Sequence, residues 1–325
     1  MLALAALSIA LLLPPAVKHH AVELRDRGFT VIPDPGLDQS LVADARAACI
    51  AEFSRLQDGV EQLGMDPDGK YAYSEIVTRH RLRWSFRPQG ASAWTRLLDE
   101  AVQSAAPVIE GMHSLPPHPD DRVDGWLPNI IGSARHLLPA QPTVDHVDAI
   151  LSKPGAAAQK FHADSGDSHL RLARLCPRHR LFNCFVPLVD LTENGDGTML
   201  WPGSHLERTR YDAYNGAIER SGSLEDDALA MAQMEVPACP AGGLLLFDFR
   251  VLHRGMPNSS GRMRPLAHAV LATGLAEDGL SYPERSLRAE VNALPREPAA
   301  RDAVRTALMK QQAEAWAAVR ASSTS

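Results

Sequence analysis

The residues best equipped for chemistry in this 325-residue chain are histidines standing two positions before an aspartate. In an extended segment the side chains at i and i+2 project to one face, so an imidazole and a carboxylate at that spacing can grip one cation. The pattern occurs three times, as His118-Pro119-Asp120, His146-Val147-Asp148 and His162-Ala163-Asp164. Repetition alone therefore discriminates nothing, and context has to decide. His118 falls in a stretch, 112–124, rich in Pro, His and Asp, which reads as a solvated loop. His146 opens a strand-like run that ends in the turn Lys153-Pro154-Gly155. His162 closes an extended approach, 156–164, that enters a Ser/Gly-rich loop, a favourable place for the rim of a site.

Such groups need a rigid frame. A short helix, 22–28, stopped by Gly28, leads into a β-rich run at 29–33. From Asp38 as a candidate N-cap, Leu41, Ala45, Cys49, Phe53 and Leu56 recur at helical spacing, and Trp94, Leu97, Leu98 and Val102 mark a second helix. From about Val144 the pattern changes to short apolar runs broken by Gly, Pro and Asn, as in an antiparallel sheet folded into a sandwich or barrel. The clearest strands are 181–188, 198–201, 243–251 and 265–273. The Ala-rich segment 299–321, with Val304, Leu308, Trp316 and Val319, is predicted to be a helix packed outside that sheet.

Composition narrows the functional classes. With 45% hydrophobic and 22% charged residues the chain is globular, and its net charge of 33 − 39 = −6 offers no positive field for a nucleic-acid backbone. Cys49, Cys176, Cys184 and Cys239 form no CxxC pair and are read as free thiols. No G-x-S-x-G elbow, P-loop or GxGxxG fingerprint occurs. Asp66-Pro67-Asp68-Gly69 is a turn lacking the further acidic ligands of a calcium loop.

Several motifs in order resemble the phytanoyl-CoA dioxygenase family: His162-Ala163-Asp164; Asn183 through Gly195, reading NCFVPLVDLTENG; Trp201-Pro202-Gly203-Ser204-His205; Gly243 through Asp248; and His253-Arg254-Gly255-Met256-Pro257-Asn258 with Arg264. The resemblance covers about 25–272. It implies a double-stranded β-helix (jelly-roll, cupin-like) core flanked by N- and C-terminal helices, with Fe(II) at His162, Asp164 and His253 and 2-oxoglutarate at Arg264. Two imidazoles and one carboxylate suit that role because they leave positions open for a cosubstrate and O₂. His253 also shares strand parity with Phe247, Phe249 and Val251, which turns it toward an apolar interior if the strand is regular. The planar fork of Arg264 matches a carboxylate, and Arg262 is its rival. Asn183 and Gln159 are weaker candidates for the cosubstrate pocket, and His268 is either a residue of the cosubstrate or substrate pocket or a hydrogen-bonded core histidine. The implied reaction hydroxylates a small organic substrate while 2-oxoglutarate and O₂ yield succinate and CO₂, with ascorbate as a candidate reductant. The alternatives are a non-catalytic jelly-roll binding module and a zinc-dependent hydrolase on the same ligands.

Two segments stand apart. Residues 1–13 carry no charge and precede Pro14-Pro15, the length of a signal-peptide apolar region but too short to span a bilayer comfortably. They leave a secretory or membrane-tethered location and a cytoplasmic one both open, with membrane contact expected only through this segment. His169, Arg171, Arg174, Arg178, His179 and Arg180 form a basic stretch in an acidic protein, read either as a solvated charged face or as a candidate lid that meets an anionic substrate group. The expected organisation is an apolar leader at 1–20, one oxygenase domain at 21–298 with its jelly-roll core from about 144, and a C-terminal helix and tail at 299–325.

Overall fold

The computed structural model describes residues 13–88, 90–116, 118, 141–164, 179–192, 196–274, 276–278 and 284–295, with eight further positions between 302 and 314. In chain order the elements are α1 (Pro15–Arg27), β1 (Phe29–Ile32), α2 (Gln39–Gln62), β2 (Ile76–His80), β3 (Arg83–Phe86), α3 (Ser92–Ser114), β4 (Thr143–Ser152), β5 (Arg180–Pro187), β6 (Thr198–Leu200), α4 (Glu207–Ser221), α5 (Ala228–Met231), β7 (Leu244–Asp248), β8 (His253–Gly255), β9 (Arg264–Thr273) and α6 (Leu287–Asn292). Seven strands form one antiparallel sheet in the order β1-β7-β5-β9-β4-β3-β2, while β6 and β8 pair separately. Isolated bridges His162↔His253 and Leu200↔Glu235 widen that smaller sheet. The result is a mainly β jelly-roll with helices.

The centre of the large sheet is buried on both faces, while the first half of β4 opens to solvent at Val144 and Val147, and alternation along the sheet's strands sorts side chains between two cores. Phe182, Cys184, Val186, Leu244, Leu246, Ala267, Ala269 and Leu271 face the helices, where they meet Leu41, Ala45, Cys49, Phe53 and Leu56 of α2 and Leu97, Leu98 and Ala101 of α3. This is the apolar stripe predicted from spacing, and Asp38 caps α2 by accepting the Ser40 N–H. The opposite residues Phe185, Leu245 and Phe247 join Leu200 of β6 and Val251 in a second core between the two sheets. Because β5 is buried at all eight positions, it reads in sequence as an apolar run interrupted only by Asn183 after its first residue, Arg180.

Several expectations change. α1 starts at Pro15, inside the expected leader, and buries Ala21 and Leu24; no described helix is long and apolar enough to cross a membrane. α3 continues through Ser114, so Met112 and His113 belong to its last turn rather than to a loop, and His113 Nε2 reaches Thr273 Oγ1 at 3.2 Å. The hairpin β2–β3 escaped sequence reasoning because its turn carries no Gly or Asn signal: Leu82 occupies the left-handed region at φ 62°. The run 243–251 is not one strand; it breaks after Asp248 and resumes at His253 in the other sheet. Of the predicted C-terminal helix, the described positions between 302 and 314 are helical and Val304 packs on the main core; the rest lies outside the described residues.

Candidate metal centre

His162 and His253 face each other across the smaller sheet. The His162 N–H donates to the His253 carbonyl at 2.9 Å and the His253 N–H to the His162 carbonyl at 2.8 Å, so the two residues are a closed hydrogen-bonded pair. Their rings lie 4.5 Å apart between centroids. Asp164, two positions on, donates its N–H to the Phe249 carbonyl at 3.0 Å. Its Oδ1 lies 3.7 Å from His162 Nε2 and its Oδ2 3.5 Å from His253 Nε2, and one ligand atom from each residue falls within 4.8 Å of the others.

Regular strand parity does not bring His253 to this place. The break after Asp248 does, and it is stapled: Asp248 accepts from the Arg250 N–H, Nε and Nη2 at 2.9, 2.9 and 2.7 Å, with Arg180 Nε at 3.8 Å. The Trp201-to-His205 motif completes the support. Ser204 Oγ donates to the Trp201 carbonyl at 2.7 Å and accepts the Leu252 N–H at 2.8 Å, while the Trp201 N–H donates to the Leu252 carbonyl. Residues whose value in sequence was only as a motif thus hold the residue next to a candidate ligand.

The donor set suits a transition-metal cation. His162 Nδ1 lies 2.9 Å from the Lys160 carbonyl and His253 Nδ1 3.0 Å from the Val251 carbonyl. A carbonyl only accepts, so each Nδ1 carries the hydrogen and each Nε2 keeps its lone pair. Burial lowers the His253 pKa, against the opposing pull of Asp164, which favours the neutral, ligating imidazole. Burial would raise the Asp164 carboxyl, but His253, His162 and the Asn183 hydrogen bond outweigh it and hold the group below the ordinary carboxylate range. The site keeps an open side: the His162 and Asp164 side chains are 37% and 31% exposed, whereas His253 is 6% exposed.

The remaining expected site residues fall into two groups. Asn183 Nδ2 donates to Asp164 Oδ2 at 2.8 Å, and His268 lies between Asn183 and Asp148, 2.7 Å from each. Gln159 is a staple: its Oε1 accepts the Gly255 N–H at 2.8 Å and its own N–H donates to the Gly255 carbonyl, fixing β8 beside His253. A Cβ on Gly255 would stand 2.4 Å from that Oε1 and 2.9 Å from Arg83 Nη1, so a side chain there would displace the Gln159 staple. The second His-x-Asp copy, His146 and Asp148, lies on β4, and Asp148 is bound to His268. The first lies largely outside the described residues.

Arg264 is buried and donates from Nη1 to the Pro257 carbonyl at 3.2 Å and from Nη2 to the Met256 carbonyl at 2.8 Å. Its rival Arg262 is exposed. Sequence reasoning missed a second buried guanidinium, Arg83, because it belongs to the unrecognised hairpin. Arg83, Ser152 and Arg264 occupy one row across β3, β4 and β9. Arg83 reaches Ser152 Oγ, the Ala157 and Gly255 carbonyls and, in a very short contact, the Met256 carbonyl shared with Arg264. Burial, followed by the neighbouring Arg264 charge, lowers its pKa to about 10. Among the described residues, and of five N–H donors per guanidinium, Arg264 keeps three uncommitted and Arg83 one, which makes Arg264 the more open fork.

The expected basic lid is corrected in part. Arg180 is the first residue of β5 and is buried against Asp248, and His179 is buried beside it; His169, Arg171, Arg174 and Arg178 lie outside the described residues. Cys49, Cys184 and Cys239 are free and buried, and burial pushes each thiol up to about 12, which makes them packing groups rather than nucleophiles. Cys176 lies outside the described residues.

Comparison with solved structures finds similarity to the non-heme alpha ketoglutarate dependent epimerase SnoN from nogalamycin biosynthesis, at 18% identity and TM-score 0.48 over 83% of this chain and 86% of that one. AviO1 from Streptomyces viridochromogenes Tue57 is similar at 18% identity and TM-score 0.46, over 82% and 96%. The alpha ketoglutarate dependent carbocyclase SnoK is similar at 16% identity and TM-score 0.42, over 82% and 86%. The family model described as phytanoyl-CoA dioxygenase matches residues 24–266, about three quarters of the chain. With that match, and with a His/Asp/His cluster whose lone pairs converge, the chain belongs to the phytanoyl-CoA dioxygenase family of Fe(II)- and 2-oxoglutarate-dependent oxygenases.

Proposed function

We propose that the protein is a dioxygenase that hydroxylates a small organic substrate while 2-oxoglutarate and O₂ are converted to succinate and CO₂, with His162, Asp164 and His253 as the iron ligands. The observation that carries this reading is the convergence of two Nε2 lone pairs and one carboxylate within 4.8 Å. A bound iron would supply the one-electron chemistry that O₂ activation requires. The chain's own residues orient and enclose. Arg264 offers three N–H groups to the distal carboxylate of 2-oxoglutarate, in the planar fork such a group accepts, and Arg83 adds positive potential in the same row. Phe247 packs edge-on against the His253 ring at 4.9 Å and, with Phe185 of the same core, gives the centre an apolar backing on the sheet side. The sequence stretch with His169, Arg171, Arg174 and Arg178 supports an anionic group on the substrate.

The test is consumption of 2-oxoglutarate by purified protein under air. With Fe(II), succinate and CO₂ form in equal amounts above the free-iron control; with Zn(II) in its place neither forms. Product formation that ignores O₂, or 2-oxoglutarate left intact with iron present, overturns the assignment.

A further inference from the structure

We propose that Asp148, His268 and Asn183 form a positioning relay that fixes the Asp164 carboxylate, committing Oδ2 and leaving Oδ1 for the ion. The inference rests on the metal centre proposed above. Asp164 stands on an extended segment beyond the last bridge of the smaller sheet, its backbone anchored among the described residues only at Phe249, and its side chain is partly exposed. A carboxylate so placed can turn about its own side-chain torsions unless something outside the segment holds it.

The large sheet provides that hold. Asp148 of β4 pairs with His268 of β9, and His268 pairs with Phe185 of β5, two residues beyond Asn183 on the same face. Register thus sets the three groups side by side on adjacent strands, each buried. Asn183 Nδ2 can only donate, so its 2.8 Å contact with Asp164 Oδ2 fixes the amide, and Asn183 Oδ1 must then accept from His268 Nε2 at 2.7 Å. His268 Nδ1 lies 2.7 Å from Asp148 Oδ1. Among the described residues no hydrogen bond reaches Asp164 Oδ1.

This arrangement reassigns two residues expected to bind the cosubstrate. The Asn183 amide is engaged at both ends and His268 at both ring nitrogens, so neither presents its principal donor or acceptor to a ligand. It also bears on a second cluster, His146, Asp148 and His268, whose ligand atoms are close enough for a cation. An ion there would need a His268 nitrogen that the relay already uses.

The experiment measures Mn²⁺ affinity of the metal-stripped protein by calorimetry, and the Co²⁺ absorption band as a signature of the ligand field. The wild-type chain binds one ion. Asn183→Leu weakens Mn²⁺ binding about 10–100-fold, the usual effect of removing a partner of a metal ligand, and shifts the Co²⁺ band. His268→Gln weakens it less. Because His268 acts only through Asn183, the double variant binds no more weakly than Asn183→Leu alone, the coupling expected of groups in one hydrogen-bonded chain, and the shift of the Co²⁺ band, which reports the ligand field, is the readout that a packing role leaves unmoved. Should Asn183→Leu fail to fold, His268→Gln decides by itself: an unchanged affinity and an unchanged band overturn the relay. Multiplying effects in the double variant, or two ions per wild-type chain with one lost on changing His268, overturn it as well. A wild-type protein that binds neither ion removes the metal centre and the relay together, whereas ions bound alike by all variants remove only the relay.

Discussion

Replacing Arg264 with Met tests the cosubstrate assignment through two effects of different sign. In the ligand-free protein the Arg264 guanidinium is a buried cation whose pKa is lowered, chiefly by burial, and the Met256 carbonyl it serves is also reached by Arg83. Removing it relieves desolvation and costs little in fold stability. In the ligand-bound protein the same substitution removes a forked partner of a carboxylate. Truncating one side of a buried hydrogen-bonded charge pair costs about 2–5 kcal/mol, and at about 3 kcal/mol the Kd for 2-oxoglutarate rises roughly 140-fold. At a concentration about 100 times the wild-type Kd, bound 2-oxoglutarate stabilises the fold by about 2.7 kcal/mol; after the substitution about 0.3 kcal/mol remains. For a chain of this length, at about 2 °C per kcal/mol, the ligand-induced rise in Tm falls from about 5 °C to below about 1 °C. Differential scanning fluorimetry under anaerobic conditions with Mn²⁺ reads this directly. A 2-oxo acid lacking the distal carboxylate serves as control and shifts both proteins alike. An Arg264→Met protein that keeps the full 2-oxoglutarate shift refutes the placement, and a ligand-free Tm that collapses refutes the account of Arg264 as a cation awaiting its partner.

Asp248→Asn should destabilise the fold, because it removes the negative charge that the Arg250 fork and Arg180 face in a buried setting, and it should weaken metal binding by loosening the turn that carries His253. Burial would raise the Asp248 pKa, but Arg250 and then Arg180 outweigh it and hold the carboxyl well below its ordinary range. A depressed folded-state pKa contributes stability above the unfolded pKa of about 4 that is lost as pH falls below it. The gap in urea midpoint between wild type and Asp248→Asn should therefore be widest near neutral pH and shrink in acid; a gap independent of pH contradicts this assignment. Neutralising Arg171, Arg174 and Arg178 together should raise KM for an anionic substrate without changing the Kd of 2-oxoglutarate, and an unchanged KM on every accepted substrate rejects an anionic recognition group.

Much of the site was legible in sequence because its components are local. His162 and Asp164 are two residues apart on extended backbone, and that spacing alone puts them on one face. Arg264 opens a strand whose apolar run is plain. The α2 stripe was legible for the same reason, being a periodicity of one helix. Arg83 was not, since its hairpin turns on a left-handed Leu82 instead of Gly or Asn and its strands are four and five residues long. The structure brings His253 beside His162 and Asp164, as the family resemblance implies, but not by the strand parity offered in its support. The strand invoked for it breaks, and the side chain arrives through a turn clamped by Asp248 and Ser204.

Residue types and their order by themselves determined the donor chemistry, the mainly β class with its helical cover, and the family. Those depend on short-range patterns of backbone conformation and on side-chain functional groups. Which carboxylate partners which imidazole was decided by tertiary structure. Three His-x-Asp copies are equivalent on paper, yet His162 is locked opposite His253 by two backbone hydrogen bonds, while Asp148 is laid beside His268 by strand register. Pairing between segments some 90 to 120 residues apart follows from the sheet order that best buries both cores, a property of the whole chain that no local spacing encodes.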